Sequence, residues 1–348
     1  MDKPERKDTA QRALVYAGIA IAVVVVLVLL WYALDVVLLA FLGILFAILL
    51  RTPADWLSRR TGLREGWSLA LVGGALLAAL VVGGILFGRA VAAQAVGLAY
   101  RIPEILADLR ERIAENELGA RLIQLAENSG AFTGGDMEFL GKGLGLIGST
   151  FGALANLAIV IFFGAFMAAR PRLYTEGLLK LVALHRRARV RETLHAVGHT
   201  LQRWLVAQTL LAIIVAALAG AGLLFIGVPF AIPLALLAGL MEFVPYIGPF
   251  IAAIPALLVA VAEGTDVVLW TALLYLAVQS IESYILAPLV QQRAVELPPA
   301  VILFAQVLMG VIAGGLGVAV ATPLAAAVMV ALTMLYVEDV LGDKSRST

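Results

Sequence analysis

The chain has no cysteine among its 348 residues and very few charged ones. The first absence excludes disulfides and any metal or redox site built on cysteine. Charged residues make up 14% of the chain, against about 25% in soluble domains, and hydrophobic residues make up 62%. A nucleotide-binding loop of the type G-x-x-x-x-G-K-[ST] is also missing, which excludes ATP hydrolysis by that route. This composition is typical of an α-helical protein with several membrane spans.

Lysine and arginine are absent from the long apolar runs, and a hydropathy count divides these runs into about eight segments. The run at 13–50 suits two helices that meet at Asp35. Basic residues precede it, but we find no convincing signal-peptide cleavage site, so the run is interpreted as a retained anchor. The other apolar runs lie at 67–88, 145–169, 204–226, 229–262, 267–289 and 297–337.

Two of these runs are broken in their middle. Residues 205–262 contain one charged residue, Glu242, and the break FVPYIGPF. This stretch is too long for one crossing of a hydrocarbon core of about 30 Å. Residues 297–337 contain no charged residue and are interrupted at AGGLG and ATP. Irregular backbone at membrane depth is found where protein or a water-filled cavity covers it, as at the binding sites of transporters.

The distribution of basic residues predicts the orientation of the spans. Four Lys or Arg lie in the first twelve residues, four at 51–67 and eight at 170–204, whereas 89–145 has six basic and eight acidic residues. We therefore expect both termini in the cytoplasm. Each broken run then reads as a re-entrant hairpin, and six spans plus two hairpins form an inverted repeat. The alternative is that each broken run crosses the membrane twice.

This interpretation divides the chain into six parts. They are an N-terminal transmembrane scaffold (1–88), an extracytoplasmic helical insertion (89–145), a transmembrane helix (146–169), cytoplasmic basic amphipathic helices (170–204), a transport core with broken helices (205–338) and a cytoplasmic tail (339–348). The basic amphipathic segment is expected to lie on anionic lipid. Its His195 and His199 have a spacing that can bind a metal, although a solvated helix face is the simpler interpretation.

Ionisable groups inside spans are energetically expensive, and so they are candidates for function. Glu242 lies one turn before the PYIGP break, and Gln279, Glu282 and Ser283 share one helix face. These groups could bind a cation, exchange a proton or hydrogen-bond a solute; alternatively they lock the bundle together. The predicted site adds residues of the two breaks and the polar residues of the second: Pro245, Tyr246, Gly248, Pro249, Gln306, Gly314, Gly315, Thr322 and Pro323.

The segments around the two breaks resemble one known family. LLFIGVPFAIPLALLAGLMEFVPYIGPFIAAIPALL and VQSIESYILAPLVQQ are similar to the AI-2E transporters, also described as PerM-like permeases. This resemblance implies a protein of the cytoplasmic membrane that moves small solutes. Some members are linked to export of autoinducer-2 and others to sodium–proton antiport. The family pattern does not require an acid at Glu242, which points to a different substrate or to cation coupling.

We therefore expect a secondary transporter that exports a small polar solute such as autoinducer-2. The alternative is a sodium (lithium)/proton antiporter that uses Glu242 and Glu282. An intramembrane enzyme would need a nucleophile and base that the spans lack, and a scaffold without transport would leave the membrane acids unexplained. No cofactor is expected beyond a coupling H⁺ or Na⁺. The expected partners are the solute or ion, the lipid bilayer and further copies of the chain, and nucleic acid is not among them.

Overall fold

The computed structural model describes residues 34–78, 150–286 and 297–343, with a few isolated positions outside these ranges. The described residues form helices and no strand, which confirms the predicted all-α class. The helices are α1 (Leu34–Thr61), α2 (Glu65–Ala78), α3 (Thr150–Ala169), α4 (Pro171–Lys180), α5 (Arg187–Ile226), α6 (Ala231–Met241), α7 (Ile247–Glu263), α8 (Thr265–Ile281) and α9 (Pro299–Leu332). Short π-helical turns, Glu282–Leu286 and Thr333–Glu338, extend α8 and α9.

Four helices in the described part of the chain are long and apolar enough to cross a membrane. A fifth span is possible if α3 and α4 are counted together, although they are bent by 87° at Arg170. The arms α6 and α7 are shorter, with 11 and 17 residues. These helices agree with a polytopic membrane protein. The first apolar segment, the insertion at 89–145 and the tail after 343 lie almost wholly outside the described residues, so the count of eight segments stays a prediction.

Helices α1 and α3 pack closely where each has a glycine. A Cβ atom at Gly43 would lie 2.6 Å from the Phe163 ring, and one at Gly164 would lie 2.7 Å from the Gly43 carbonyl oxygen. Arg51 joins the same helices by donating to the Ala168 carbonyl oxygen at 3.1 Å. The sequence predicts that this apolar run ends at Leu50, but α1 continues to Thr61 because its basic residues find partners along the helix, among them Asp55.

The prediction that the basic helix lies on the membrane surface is wrong for most of that helix. Residues 187–226 form one helix of 40 residues, so the basic part and the following span share an axis. This stretch contains no proline, and its Gly198 lies in open space, so nothing interrupts the hydrogen-bond ladder. The helix that turns away from a span is instead α4, which begins with Pro171.

Hairpin 1 consists of α6 and α7, and the chain reverses between Met241 and Ile247. A Cβ atom at Gly248 would overlap the Met241 carbonyl oxygen, so the two arms start in direct contact. The tip is a tight turn in which the amide of Gly248 donates to the Val244 carbonyl oxygen at 2.8 Å. Tyr246 has φ 67°, which is uncommon for a residue with a side chain. The break predicted at FVPYIGPF is therefore confirmed as a hairpin.

Hairpin 2 lies within α9, which consists of two helical arms that meet at a sharp break and run in opposite directions. The Gln306 Nε2 atom is 3.5 Å from the Thr322 hydroxyl, whereas these residues would be about 24 Å apart in a straight helix. A Cβ atom at Gly317 would overlap the Met309 carbonyl oxygen. The backbone leaves the helical region at Ala313 and Gly314, which has φ 58°. The second predicted break is therefore also a hairpin, with its tip in the glycine run.

The two hairpins enter the bundle from opposite ends of α5. Hairpin 1 starts four residues after α5 ends, and its Leu234 packs with Leu223. Hairpin 2 returns to the other end, where Ala327 packs beside Leu201 and the following π-helical turn contacts Arg189. Each hairpin follows a long helix, first α5 and then α8. This order and the opposed directions agree with an inverted repeat, whose number of membrane crossings stays a prediction.

Candidate functional site

The centre of the candidate site is a small cavity among α5, hairpin 1 and α8. Its polar lining consists of Glu242, Tyr275, Gln279 and Glu282, and its apolar lining comes mainly from small residues of α5, α6 and α7. The cavity has space for about one water molecule. It lies inside the bundle, because its lining residues on α5, Val215 and Ala219, are about 16 and 10 Å along the helix from Ile226.

Glu242 reaches this cavity because α6 ends at Met241 and the chain begins to turn there. The residue is 2% exposed. Its backbone carbonyl oxygen accepts a hydrogen bond from Gln208 Nε2, which satisfies a group that the broken helix leaves without its usual partner. The carboxyl group lies against the carboxyl group of Glu282. Its Oε2 atom has no hydrogen-bond partner among the described residues.

Glu282 is held from its own helix at the point where α8 changes to π-helical hydrogen bonding. Gln279 Nε2 donates to Glu282 Oε2 at 3.1 Å and to the Ser283 hydroxyl at 3.4 Å. These bonds confirm the prediction that the three side chains share one helix face. They also orient one Glu282 oxygen, which positions the carboxyl group toward hairpin 1.

The two carboxyl groups lie in a region without basic residues. The sequence has no Lys or Arg from 204 to 292, so neither α6, α7 nor α8 can supply a positive charge to the pair. Two carboxylates in contact in an apolar environment cannot both remain ionised without a partner. The arrangement can therefore hold a proton or a small cation between Glu242 and Glu282.

A second polar cluster joins the two hairpins. Gln306 is completely buried, and its Nε2 atom donates to the Pro245 carbonyl oxygen at 2.8 Å as well as lying near the Thr322 hydroxyl. Its Oε1 atom has no partner among the described residues. The tip of hairpin 1 thus contacts the inner face of hairpin 2. Movement of one hairpin therefore either breaks this contact or moves the other hairpin with it.

The other predicted site residues are distributed around these two clusters. Pro249 lines the cavity, and Gly248 is the point of contact between the arms of hairpin 1. Pro323 is buried next to Thr322. Three predicted residues, Tyr246, Gly314 and Gly315, are exposed at the hairpin tips, and Ser283 is exposed on α8. The predicted residues therefore belong to two places, the carboxyl site and the contact between the hairpins, rather than to a single cluster.

Sequence reasoning missed three buried polar residues. Gln208 is interpreted from the sequence as a packing residue, yet it caps the tip of hairpin 1. Tyr275 lines the cavity, and Thr271 is buried one helical turn away. All three could be found from the sequence, because an isolated polar residue in an apolar run is energetically costly unless it forms a polar contact or binds a ligand. The two histidines of α5 are exposed, and the described residues contain no group of three or more His, Asp or Glu side chains that could hold a metal ion.

Comparison with known proteins agrees with this architecture. The sequence is 30% identical over 298 residues to a Mycobacterium tuberculosis protein named "Putative transport protein MT0215", covering 81% of this chain and 78% of that one. It is 28% identical to "Putative transport protein YrrI" of Bacillus subtilis over 60% of this chain and 59% of the relative. Residues 19–336 match the AI-2E family transporter profile. The chain therefore belongs to the AI-2E transporter family and is a multi-pass membrane transporter.

Proposed function

We propose that this protein is a secondary active transporter in which Glu242 and Glu282 form the coupling site. The observation that carries the proposal is the contact of the buried Glu242 carboxyl group with the half-buried Glu282 carboxyl group in a cavity without a basic side chain. Such a pair is stable only with a bound proton or cation. Occupancy of the pair therefore changes the electrostatic free energy of the conformation that encloses it, as coupling requires.

The transported substrate that we propose is a small polar solute such as autoinducer-2, moved outward across the cytoplasmic membrane. The cavity holds about one water molecule, so a solute of that size does not fit there in this conformation. We place the solute path between the two hairpins, next to the contact of Gln306 with Pro245. Separation of that contact opens space lined by backbone carbonyls freed at the two breaks, which are suitable partners for a polar solute.

A sodium (lithium)/proton antiporter is the second candidate, and the size of the cavity favours it. A site for one water molecule also suits one dehydrated Na⁺ or Li⁺ ion. Carboxylate and amide oxygens are ligands that hard cations prefer, and Glu242, Glu282 and Gln279 supply both kinds. In this mechanism the proton and the metal cation compete for the same pair, and no separate solute site is needed.

The cellular setting follows from the charge distribution. We propose that the protein lies in a bacterial cytoplasmic membrane with both termini in the cytoplasm, because basic residues cluster at 1–12, 51–67 and 170–204. We also propose a homo-oligomer. Large apolar side chains such as Phe162 and Phe166 are exposed on α3, and a second copy or lipid can cover them.

The test is transport by the purified protein in inside-out vesicles, with labelled autoinducer-2 and an imposed pH gradient. We expect gradient-driven accumulation by the unmodified protein and its loss to background in Glu242→Gln and Glu282→Gln, since neither variant can exchange a proton between two carboxyl groups. Asp266→Asn is the matched control, because it neutralises an exposed acid in the first turn of α8. Accumulation that survives in both glutamine variants would refute the coupling site.

The same vesicles distinguish the two candidates. Proton movement is recorded with an entrapped pH-sensitive dye after Na⁺ or Li⁺ is added outside. Cation-driven proton flux without autoinducer-2 accumulation would establish the antiporter and exclude the solute exporter. Accumulation of the solute with no cation-driven proton flux would establish the solute exporter and exclude the antiporter.

A further inference from the structure

Helix α8 carries a line of polar side chains that ends at the carboxyl pair. Thr271, Tyr275, Gln279 and Glu282 follow one another at spacings of four, four and three residues, which places them on one helix face. We call this line the α8 polar stripe. From Thr271 to Glu282 it extends about 16 Å along the helix axis. Tyr275, Gln279 and Glu282 all line the cavity that contains Glu242.

Two members of the α8 polar stripe are buried at considerable cost. The Thr271 side chain is completely buried, and neither its hydroxyl nor that of Tyr275 has a hydrogen-bond partner among the described residues. A buried hydroxyl without a partner is less stable than a satisfied one, because it has lost its hydrogen bond to water and gained none. A mid-helix threonine can avoid this cost by bonding to the carbonyl four residues earlier, as Ser280 does with Leu276. Thr271 does not do so, which leaves its hydroxyl free for another partner.

The stripe leads from the pair toward one end of the bundle. Val267 and Tyr275 pack against the cluster that includes Leu223 and Val228, which lies where α5 ends and hairpin 1 begins. The next residues toward that end are Thr265 and Gly264, between α7 and α8. The orientation rule assigns this end to the outer side of the membrane. The stripe is therefore a polar connection between the buried carboxyl groups and the outer surface.

The surroundings of the stripe leave few groups that could accept or release a proton. Among the described residues that line the cavity, Glu242, Glu282 and Tyr275 are titratable, while Asp266 and Glu263 lie at the far ends of α8 and α7 and Tyr246 is exposed at the tip of hairpin 1. Residues 204–226 of α5, all of α6, and α7 before Glu263 contain no titratable side chain, and neither does α9. Between Asp266 and Glu282 the helix α8 offers no titratable side chain besides Tyr275, so we expect a proton to move along it through water that is hydrogen-bonded to side chains such as those of the stripe.

We propose that the α8 polar stripe is the water path by which protons move between the outer surface and Glu242–Glu282. Hydronium gives its proton to one carboxylate of the pair, which becomes a carboxylic acid, and water remains. Tyr275 and Thr271 hydrogen-bond the water chain and are positioning residues. The proposal rests on the coupling role of the carboxyl pair, and it adds the route and the side of the membrane from which the pair is reached.

Access along the stripe is measured with single cysteines, because the natural chain has none. Thr271→Cys and Tyr275→Cys are treated from the outer side with a small cationic thiosulfonate reagent. We expect them to react at least about tenfold faster than Leu273→Cys and Leu276→Cys, whose exposed side chains face lipid. Leu274→Cys controls for the space created by shortening a large side chain, since Leu274 packs in the apolar clusters beside the stripe.

A flux measurement tests the same path without cysteine. Tyr275→Phe and Thr271→Val remove only the hydroxyl function, and we expect each to slow coupled proton flux by about tenfold (about 1.4 kcal/mol in activation free energy). Ser280→Ala on the same helix should leave the flux unchanged. Reactive cysteines in the stripe without coupled flux in the unmodified protein would support the path and refute the coupling function. Unreactive cysteines beside normal flux, or full flux in both hydroxyl variants, would refute the path.

Discussion

Hairpin 1 and hairpin 2 have the same architecture and different chemistry. Hairpin 1 has an acid, Glu242, at its turn, and side chains of α5 and hairpin 2 satisfy the carbonyl groups of that turn. Hairpin 2 has an uncharged turn in which Gly314 and Gly315 are exposed. A tip held from two sides suits a precisely oriented ion site, whereas a glycine tip without bulky side chains suits movement. The comparison favours hairpin 1 as the binding element and hairpin 2 as the moving one.

The close approach of the two arms is the feature that the hairpins share, and its loss should have the largest effect. Gly248→Ala and Gly317→Ala each place a Cβ atom into a backbone carbonyl of the opposite arm. Because backbone cannot move aside as a side chain can, we expect each to destabilise the protein by about 3 kcal/mol. The measurement is thermal unfolding in detergent, followed by size-exclusion chromatography.

Gly315→Ala is the control for both glycine variants, since its Cβ atom would meet nothing within 4 Å. We expect this change to be neutral or slightly stabilising, because alanine favours helix over glycine. Equal melting temperatures for all three variants would mean that the arms do not touch as described, and the hairpin interpretation of both breaks would fail.

Loss of the amide contacts at the tip of hairpin 1 should have an intermediate effect. We expect the two contacts to matter about equally for stability and unequally for the transport rate. Gln306→Leu removes the hydrogen bond donated to the Pro245 carbonyl oxygen, and Gln208→Leu removes the one donated to the Glu242 carbonyl oxygen. We expect each to cost about 1–3 kcal/mol, because a buried carbonyl loses its partner. Since Gln306 joins the two hairpins and Gln208 joins hairpin 1 to α5, the loss of Gln306 should also change the transport rate more than the loss of Gln208.

The check combines thermal unfolding with initial transport rates for both leucine variants. Equal losses of rate for Gln208→Leu and Gln306→Leu, normalised to folded protein, would contradict the separate role of the hairpin contact. Ser280→Ala is a suitable control, because its hydroxyl donates to the Leu276 carbonyl oxygen of its own helix at an exposed position of α8.

The smallest expected effect concerns the base of hairpin 2. Arg189 of α5 bonds to Glu338 at 2.5 Å and to Asp339 at 3.0 Å, just after hairpin 2. Hydrogen bonds that Arg189 donates to Glu192, then to Glu338 and Asp339, hold the pKa of Arg189 above its ordinary value, so the guanidinium stays charged. Because the group is partly exposed, we expect Arg189→Gln to cost only about 1 kcal/mol at low salt and less at high salt.

Thermal unfolding of Arg189→Gln at low and high salt tests this expectation, with Arg191→Gln as the control on an exposed position of the same helix. A loss that does not decrease with added salt would show that Arg189 acts through packing rather than through its charge.

Much of the membrane architecture could be predicted because lipid imposes simple rules on sequence. The apolar runs, the two breaks and the shared face of Gln279, Glu282 and Ser283 were predicted from run length, glycine, proline and helical spacing. The continuous helix α5 was not, because a change from basic to apolar residues looks like the boundary of a span. Nothing local shows that the backbone continues through such a boundary.

From the amino-acid order alone it follows that this is a helical membrane protein, that two runs are interrupted, that Glu242 and Glu282 are costly acids, and that Thr271 and Tyr275 share a helix face with Glu282. The packing of separate helices decides that the two acids touch, that Gln208 and Gln306 cap one hairpin tip, and that the Thr271 and Tyr275 hydroxyls are buried. The reason is that spacing within one helix fixes which side chains share a face. Contacts between residues 34 or 61 positions apart depend on how separate helices pack.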